Sequence, residues 1–402
     1  MFPSCWLSLE VVCARPPLAA KPAVLNRILR TALFAVAFAA GALAHAADTT
    51  FMDRFVDPKD GAFDVSEHLL EHRGFLPVPI IITEPAIGYG GGAALLFFRE
   101  SIAEAREQSA ARHERMKPPD IGVVAAFMTE NGSKGAAAGY VGTLAGDRFR
   151  YLAGAAQADI NIDYYGPGDV PRRFALSMPI LIVQGLARIA ETDWLVGPRY
   201  IYAGTSARFV RDTPSEIKPP ELDAHIGRAS VVVDYDSRDN MFTPSRGSYI
   251  EVDVGFARRA LGSATDWDSV LARGFTYVQL GSKAILGLRA DGKFTDGDVP
   301  FYVRPFITLR GIPAMRYQGL NTIVAEAELR YNLGERWALV GFGGAGRAYG
   351  GDVAFADAKT IGAGGAGFRY LIARKMGLYA GIDVARGPEQ TVVYIQVGSA
   401  WR

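Results

Sequence analysis

Three glycine-rich stretches have the spacing of a dinucleotide-binding loop. Residues 341–346 read GFGGAG, residues 362–367 read GAGGAG and residues 88–93 read GYGGGA. A dinucleotide site needs this turn between a strand and a helix, with an acidic residue at the end of the next parallel strand. None of the three stretches has both features downstream. Glycines inside β-strands, where they permit sharp curvature, explain all three stretches, and the sequence predicts no cofactor.

The histidines and serines form no recognisable catalytic or metal-binding pattern. His68 and His72 are four residues apart, but the sequence HLLEH lacks the glutamate that follows the first histidine of a zinc-binding helix. The other histidines have no metal-ligand spacing, and no G-x-S-x-G nucleophile motif occurs. The sequence therefore predicts a protein that is not an enzyme and holds no metal ion.

Composition excludes two further classes of protein. The 402 residues include 43 Lys and Arg against 42 Asp and Glu, so the chain lacks the basic excess with which proteins neutralise nucleic-acid phosphates. Hydrophobic residues make up 49% of the chain, which is too many for intrinsic disorder. Cys5 and Cys13 are its two cysteines, so the rest of the chain can form no disulfide framework.

Residues 26–46 (NRILRTALFAVAFAAGALAHA) have the three parts of an export signal. Two arginines precede an apolar run over 31–43, and the final AHA is a small-x-small cleavage site. The run is shorter than the ~20 apolar residues of a membrane-spanning helix. We therefore predict a signal peptide over 1–46, with one explanation for its long upstream part being a start codon assigned too early. A short periplasmic segment is predicted over 47–73.

From Gly74 onward, apolar residues alternate with a period of two, as in strands with two different faces. The clearest case is 322–333 (TIVAEAELRYNL), where Glu326, Glu328 and Arg330 share one face and the opposite face is apolar. A polar lumen behind a lipid-facing apolar surface is the pattern of a membrane barrel. A soluble β-sandwich would also alternate, but its strands are usually shorter than these. The predicted fold is an all-β transmembrane antiparallel barrel.

Sixteen strands are predicted for this barrel. Fifteen alternating runs are recognisable, and 74–83 (GFLPVPIIIT) is added because single-chain bacterial barrels have even strand numbers. Pro77 and Pro79 would weaken the pairing of this added strand, which is tolerable at an edge or seam. The fifteen runs are 87–98, 120–130, 135–145, 148–163, 174–189, 194–209, 225–236, 247–257, 267–281, 284–294, 322–333, 337–347, 361–371, 376–385 and 391–401.

Loop lengths orient the predicted barrel. Bacterial barrels have short periplasmic turns and longer outer loops. If the last strand ends in the periplasm, the longer connections at 210–224, 295–321 and 348–360 face outward, and the charged segment 100–119 is a periplasmic exception. The periplasmic turns are then 145–147, 191–193, 281–283, 334–336 and 373–375.

Three motifs carry a resemblance to a known family. Residues 233–254 (VDYDSRDNMFTPSRGSYIEVDV) contain a turn between two predicted strands, residues 309–333 begin with LRG and include AELR, and residues 360–387 are rich in glycine. Together they resemble the bacterial surface antigen family, the superfamily of the BamA and TamA assembly barrels. The matching turn residues are Asp236, Ser237, Arg238, Asp239, Asn240, Pro244 and Gly247.

The resemblance implies roles for particular residues. In the family, an arginine of an outer loop reaches into the lumen as part of a lid and pairs with acids on nearby strands. By resemblance this arginine is Arg310, beside Gly311, and Glu328 on the lumen face of the following strand is its partner. Two departures are Ile312 in place of the motif's aromatic residue and Gly344 where the family's next strand usually carries an acid. Half of the lid's anchoring is therefore expected to be missing.

The last predicted strand carries the expected C-terminal barrel signal, consisting of Tyr394, Gly398 and Trp401. Alternation places Val393, Ile395 and Trp401 on the lipid-facing side. We therefore expect Trp401 in the aromatic girdle at the membrane interface.

The resemblance implies a protein of the Gram-negative outer membrane that inserts or exports proteins or lipids, acting through a weak seam between its first and last strands. Its expected partners are lipopolysaccharide and phospholipid, and the barrel assembly machinery for its own insertion. Family members that assemble other proteins carry periplasmic POTRA domains, and 47–73 is too short for one. A separate periplasmic protein, contacted through a helix predicted over 65–73, is one way to supply that module.

Two other functions are compatible with the sequence. A passive porin-like channel would have an open, charged lumen without an ordered plug. A structural or adhesive surface protein is the other alternative, although the outer loops are short and plain for that role. The charges that could line a pore are Arg150, Asp159, Asp163, Glu251, Asp253, Arg289 and Glu326.

Overall fold

A computed structural model describes residues 11–14, 55–101, 103–104, 120–166 and 170–401. The predicted cleavage site and most of the predicted signal peptide lie outside the described residues. The exception is a four-residue strand, Val11–Ala14, which pairs antiparallel with the last strand of the barrel. Most of the charged segment 100–119 also lies outside them.

Sixteen antiparallel strands form a nearly closed barrel from residue 74 onward, which confirms the predicted fold and strand number. Each strand pairs with the next one along the chain, and every predicted run overlaps one of them. The strands are β1 (Gly74–Ile82), β2 (Gly90–Phe98), β3 (Ile121–Thr129), β4 (Lys134–Leu144), β5 (Phe149–Tyr165), β6 (Pro171–Arg188), β7 (Trp194–Phe209), β8 (Asp223–Asp236), β9 (Gly247–Ala257), β10 (Trp267–Leu280), β11 (Ala284–Gly297), β12 (Asn321–Asn332), β13 (Trp337–Tyr349), β14 (Ile361–Ala373), β15 (Leu378–Arg386) and β16 (Thr391–Val397).

Strand length varies around the barrel. Strands β5, β6 and β7 have 17, 18 and 16 residues, whereas β1, β2, β3 and β15 have 9 each and β16 has 7. The short strands therefore flank the seam, where the last strand is next to the first in the order of the sheet. Among the described residues, register pairs join β1 to β2 and β16 to β15, but none joins β1 to β16.

The predicted two-faced strands are present. On β12, Glu326 is 5% exposed and Arg330 is 7% exposed, while Leu329 and Tyr331 on the opposite face are 44% and 45% exposed. Large apolar side chains are exposed on most other strands as well. This apolar outer surface is what a lipid-facing barrel requires.

Antiparallel pairing places the five predicted short turns at one end of the barrel and the three long connections at the other. The helix predicted over 65–73 is present as α1 (Ser66–Glu71), and Asp64 accepts a hydrogen bond from the backbone N–H of Ser66 at 2.7 Å. The backbone N–H of Val65 donates to the carbonyl of Ile372, so α1 lies at the short-turn end. Within the described residues, no helix is both long and apolar enough to cross a bilayer.

Candidate functional site: a loop held inside the barrel

The connection between β11 and β12, residues 298–320, folds into the barrel. Phe301 is fully buried and packs against Tyr164 of β5 and Phe174 of β6, with ring centroids 5.2 and 5.1 Å apart. Ile307 and other apolar side chains of the loop are buried against β12 and β14. Because burial of each such side chain stabilises its position by about 1.5–3 kcal/mol, the lumen contains an ordered plug.

Arg310 of this loop is surrounded by three carboxylates. Its guanidinium lies 2.8 Å from Glu326 Oε1, 2.7 Å from Glu328 Oε2 and 2.9 Å from Asp383 Oδ2. The ring of Phe342 lies beneath the guanidinium, with its centroid 3.5 Å from Cζ. The expected pair with Glu328 is therefore present, within a larger cluster that also includes a cation–π contact.

Gly344 stands where the family usually carries an acid, but the loop does not lose half of its anchoring contacts. Asp383 of β15 is fully buried and binds Arg310, and it also accepts two hydrogen bonds from Arg369, at 2.5 and 2.9 Å. At Gly344 an added Cβ would lie 2.8 Å from Leu309 Cδ2 and 2.6 Å from a backbone oxygen. Glycine at this position gives the loop room, and another strand supplies the carboxylate.

Gly311 connects the loop to the last strand. Its φ is +95°, and an added Cβ would lie 2.9 Å from the backbone nitrogen of Gly387, in the turn between β15 and β16. Its backbone N–H donates to the hydroxyl of Tyr394, whose side chain is 1% exposed. Tyr394 therefore faces the lumen, and the loop contacts β16 from inside the barrel.

The expected position of Trp401 in the aromatic girdle is wrong. Strand β16 ends at Val397, and Gly398, with a φ of +82°, turns the chain into the barrel. Trp401 is 4% exposed, and its indole nitrogen donates to Glu326 Oε2 at 2.8 Å. The alternation assumed an unbroken strand, whereas a left-handed glycine and a polar partner for the buried indole direct the ring inward.

The turn between β8 and β9 is held together by its own polar side chains. Asp236 binds the guanidinium of Arg238 through two hydrogen bonds of 2.8 and 3.0 Å. Asp239 accepts hydrogen bonds from the backbone of residues 245 and 246. Gly247 has a φ of +94°, and an added Cβ would lie 2.3 Å from the carbonyl oxygen of Ser237. These contacts explain the residue types that carry the family resemblance.

The same turn reaches other parts of the short-turn end. Asn240 Nδ2 donates to the carbonyl of Met376, which follows β14, at 2.7 Å. The carbonyl of Pro244 accepts a hydrogen bond from Arg330 of β12 at 3.2 Å. The turn therefore crosses part of the barrel mouth and contacts the side that carries the last strands.

The charged side chains that could have lined a pore bind other groups of the protein. Arg199 bridges Glu251 and Asp253 at 3.2 and 2.6 Å, and Asp253 also binds Arg228 at 2.5 Å. The remaining candidates have polar partners too, since Arg150 pairs with Asp147, Asp159 with Ser177, Asp163 with Arg173, and Arg289 with Asp291 and Glu326. Most of these charges are therefore buried and held in ion pairs, whereas Asp163 and its partner Arg173 are 27% and 48% exposed.

Residues 55–73 form a strap at the short-turn end, which the sequence reasoning did not anticipate. Arg336, in the turn after β12, binds Asp57, Asp60 and Asp64 at 2.6, 2.7 and 2.5 Å. Arg374, in the turn after β14, also binds Asp57 and Asp60. Because the strap continues directly into β1, it links β1 to the turns on the other side of the seam.

The strap carboxylates are held in their charged form. Hydrogen bonding to Arg336 lowers the pKa of Asp60 below its usual range. For Asp64, burial raises the pKa, but hydrogen bonds from Ser66, Arg374 and Arg336 outweigh this effect and lower it overall. The strap is therefore bound most firmly while both groups are ionised.

Comparisons with known proteins show which solved structures share this fold. No protein-family profile and no curated protein matches the sequence. Among solved structures, a crystal structure of BamA from Haemophilus ducreyi lacking POTRA domains 1–3 is similar, with a TM-score of 0.57, 11% identity and coverage of 81% of this chain and 70% of that one. The chain has the barrel fold of BamA.

CdiB barrels are similar as well. CdiB from Escherichia coli has a TM-score of 0.57, 9% identity and coverage of 80% of this chain and 61% of its own. For CdiB from Acinetobacter baumannii the values are 0.53, 12%, 80% and 59%. At these identities the likeness concerns the fold, and it agrees with the superfamily whose motifs the sequence resembles.

Proposed function

We propose that the protein inserts or exports proteins at the outer membrane by opening its wall between β1 and β16. The observation that carries this proposal is the seam. Neighbouring strands are paired through the rest of the barrel, whereas no register pair joins β1 to β16 among the described residues, and the seam edge of β16 pairs instead with the four residues Val11–Ala14. Pro77 and Pro79 further weaken β1, because proline cannot donate a backbone hydrogen bond.

The short strands beside the seam support the same function through their effect on the membrane. At about 3.3 Å per residue and a tilt of about 40°, a 9-residue strand crosses roughly 23 Å, and 7 residues cross roughly 18 Å. The hydrocarbon core of a bilayer is about 30 Å thick. Lipid next to the seam would therefore be thinned, which lowers the barrier for an entering polypeptide.

The filled lumen argues against the porin alternative. The loop of residues 298–320 is buried against strands on several sides, and the lumen charges are ion-paired. A passive pore needs a stable aqueous path. In our proposal the loop instead acts as a lid that stabilises the closed barrel, with Arg310 as its anchor and Glu326, Glu328 and Asp383 as its partners.

We place residues 55–73 and the short turns in the periplasm. Leu70 of α1 is buried against the barrel residues Ala373, Met376 and Leu378. The apolar side of α1 is therefore occupied, and a periplasmic partner would contact the exposed side of the strap. Lipopolysaccharide and phospholipid would contact the outer apolar surface.

A cross-linking experiment tests the proposed function. A panel of single cysteines along β1 is combined with Val393→Cys of β16, in a Cys5→Ser/Cys13→Ser background. The matched control, Ile382→Cys with Ile395→Cys, links two strands that are already register partners. The protein is reconstituted in vesicles, and an unfolded eight-stranded barrel added from urea serves as the client.

We expect the wild type and the cross-linked control to accelerate client insertion by the same factor. A cross-linked seam should return insertion to the rate of empty vesicles, and reduction should restore it. Undiminished insertion through a fully cross-linked seam would refute the proposal, as would insertion no faster than in vesicles without protein.

A further inference from the structure

Arg330 of β12 is a buried arginine that binds no carboxylate. It faces the lumen and is 7% exposed. Within the described part of the chain it forms no ion pair, and its hydrogen bonds go to neutral groups. The other arginines buried to this degree each bind at least one carboxylate, and they are Arg199, Arg310, Arg336 and Arg369.

The neutral contacts of Arg330 use only part of its guanidinium. Nη2 donates to the carbonyl of Pro244 at 3.2 Å and to the hydroxyl of Ser245 at 3.3 Å, whereas the buried Nε has no hydrogen-bond partner. The ring of Tyr379 on β15 lies 5.3 Å from Cζ, which adds a weak cation–π attraction. A guanidinium keeps its charge inside a protein, so the loss of its hydration is not offset by these contacts.

A second donor without a partner lies on the same part of the lumen wall. Gln396 of β16 is 7% exposed, and its Nε2 has no hydrogen-bond partner. Gln396 pairs in register with Gly381 of β15, which pairs on its other side with Arg369 of β14. Tyr379 precedes Gly381 by two residues and therefore shares its face of the sheet. Because Gly381 has no side chain, Gln396 and Arg369 face a common space beside the ring on which Arg330 lies.

The groups around this space favour an anion. Arg330 provides a positive charge and a free N–H, Gln396 provides an amide N–H, and the hydroxyl of Ser245 can donate in turn. Arg369 adds a second guanidinium, which Asp383 already neutralises. The acid two residues before Arg330 on the same face, Glu328, is bound to Arg310 at 2.7 Å. Guanidinium groups bind the oxygens of carboxylates and phosphates most strongly, through pairs of parallel hydrogen bonds.

The position of the site determines how an anion reaches it. Arg330 lies two residues before the end of β12, and Pro244 and Ser245 belong to the turn between β8 and β9. Both places are at the short-turn end of the barrel. Because Arg330 and Gln396 are each 7% exposed, the opening admits a small group more readily than a lipid with its acyl chains.

We propose that Arg330 and Gln396 bind a small free oxyanion, a carboxylate or a phosphate, that enters the lumen from the short-turn end. The anion supplies the negative charge that the described residues do not give to Arg330. It also connects β12 to β16 through its oxygens, so its binding stabilises the folded barrel. The site does not rest on the proposed function, and its test requires no client.

Thermal unfolding of the refolded full chain in a neutral detergent tests the site. The midpoint is measured in Tris chloride and then in sodium phosphate or sodium acetate at the same ionic strength. Arg330→Met removes the charge and keeps a side chain of similar length. Arg347→Met is the matched control, because it removes the same charge from an arginine that bonds to Thr360 and to a carbonyl near the outer loops.

We expect at least one of the two anions to raise the midpoint of the wild type and of Arg347→Met. At an anion concentration a hundred times the dissociation constant, the ratio of folded to unfolded protein should rise about a hundredfold. Arg330→Met should be at least as stable as the wild type in chloride and should gain nothing from either anion. An equal gain in all three proteins, or no gain in the wild type, would refute the site. Lower stability of Arg330→Met in chloride would show that the protein alone stabilises this charge, which would also refute it.

A second variant covers the case in which Arg330→Met does not fold. Gln396→Leu removes the other free donor, and it should raise the anion concentration that gives half of the effect about tenfold; an unchanged concentration would contradict the site. Mixed micelles with phosphatidylglycerol distinguish a lipid headgroup from a free anion. At the same phosphate concentration they should give no shift of the midpoint, and a shift as large as that of free phosphate would overturn the assignment to a free anion.

Discussion

Replacing Arg310 with alanine should release the lid. The substitution removes the guanidinium from three carboxylates at once, but the three are affected to different degrees. Asp383 keeps both hydrogen bonds from Arg369, and Glu326 keeps Arg289 and Trp401. Glu328 loses its 2.7 Å ion pair, although its side chain is 16% exposed and can gain water.

The size of the effect follows from these remaining contacts. Breaking a buried ion pair by removing one partner costs about 3–5 kcal/mol. Because two carboxylates keep other donors and the third is partly hydrated, we expect the lower end, about 3 kcal/mol. Each 1.4 kcal/mol changes an equilibrium about tenfold, so the population of the open lid should rise about a hundredfold.

Single-channel conductance of the refolded barrel measures this population. Wild type should show small, brief openings, and Arg310→Ala should show large or unsteady ones that occupy far more of the recording. Arg347→Ala is the matched control, since Arg347 bonds to Thr360 and to a carbonyl in an outer loop, away from the carboxylate cluster. A large, steady wild-type conductance that does not respond to Arg310→Ala would refute the lid and favour a porin.

Two further predictions concern the tip of the lid and the strap. Gly311→Ala should also increase channel openings, because its Cβ would lie 2.9 Å from the nitrogen of Gly387 and its φ of +95° disfavours other residues; wild-type conductance would contradict this. The lowered pKa values of Asp60 and Asp64 stabilise the docked strap above their unfolded pKa of about 4, and this contribution is lost as pH falls through the folded values. A spin label at Phe63→Cys should therefore stay immobile from neutral pH to about pH 4 and become mobile below it; release near neutral pH would contradict the assignment.

The barrel could be predicted from the sequence because its main signal is local. A membrane strand must alternate between lipid and lumen at every residue, so 322–333 alone shows both faces. The prolines at 77 and 79 are a local signal of the same kind, since proline cannot donate its own backbone hydrogen bond, and they predict a strand at an edge or seam. Only the ends of the strands were predicted wrongly. The clearest case is Gly398, where the chain leaves the barrel wall although the alternation of apolar and polar residues continues.

The site was predicted less completely because its contacts join distant positions. Asp383 could be assigned to a polar face, but its distance to Arg310, 73 residues earlier, depends on how the loop enters the barrel. The strap combines Asp64 with Arg336 across 272 residues, and no local pattern distinguishes such charges from solvated ones. Arg310 itself was identified only through the family resemblance.

The closed seam is stabilised mainly from inside the barrel. In the described structure β16 is held by Tyr394 against the lid, by Trp401 against β10 and β11, and by its pairing with β15 and with Val11–Ala14, without register pairs to β1. The strap adds a link between β1 and the turns after β12 and β14. In the proposed function, opening the wall would therefore depend less on separating two strands than on releasing side chains that contact the lumen and the barrel end. Polar contacts of this kind have two discrete states, bound or hydrated, so a client that competes for them could shift the barrel from closed to open.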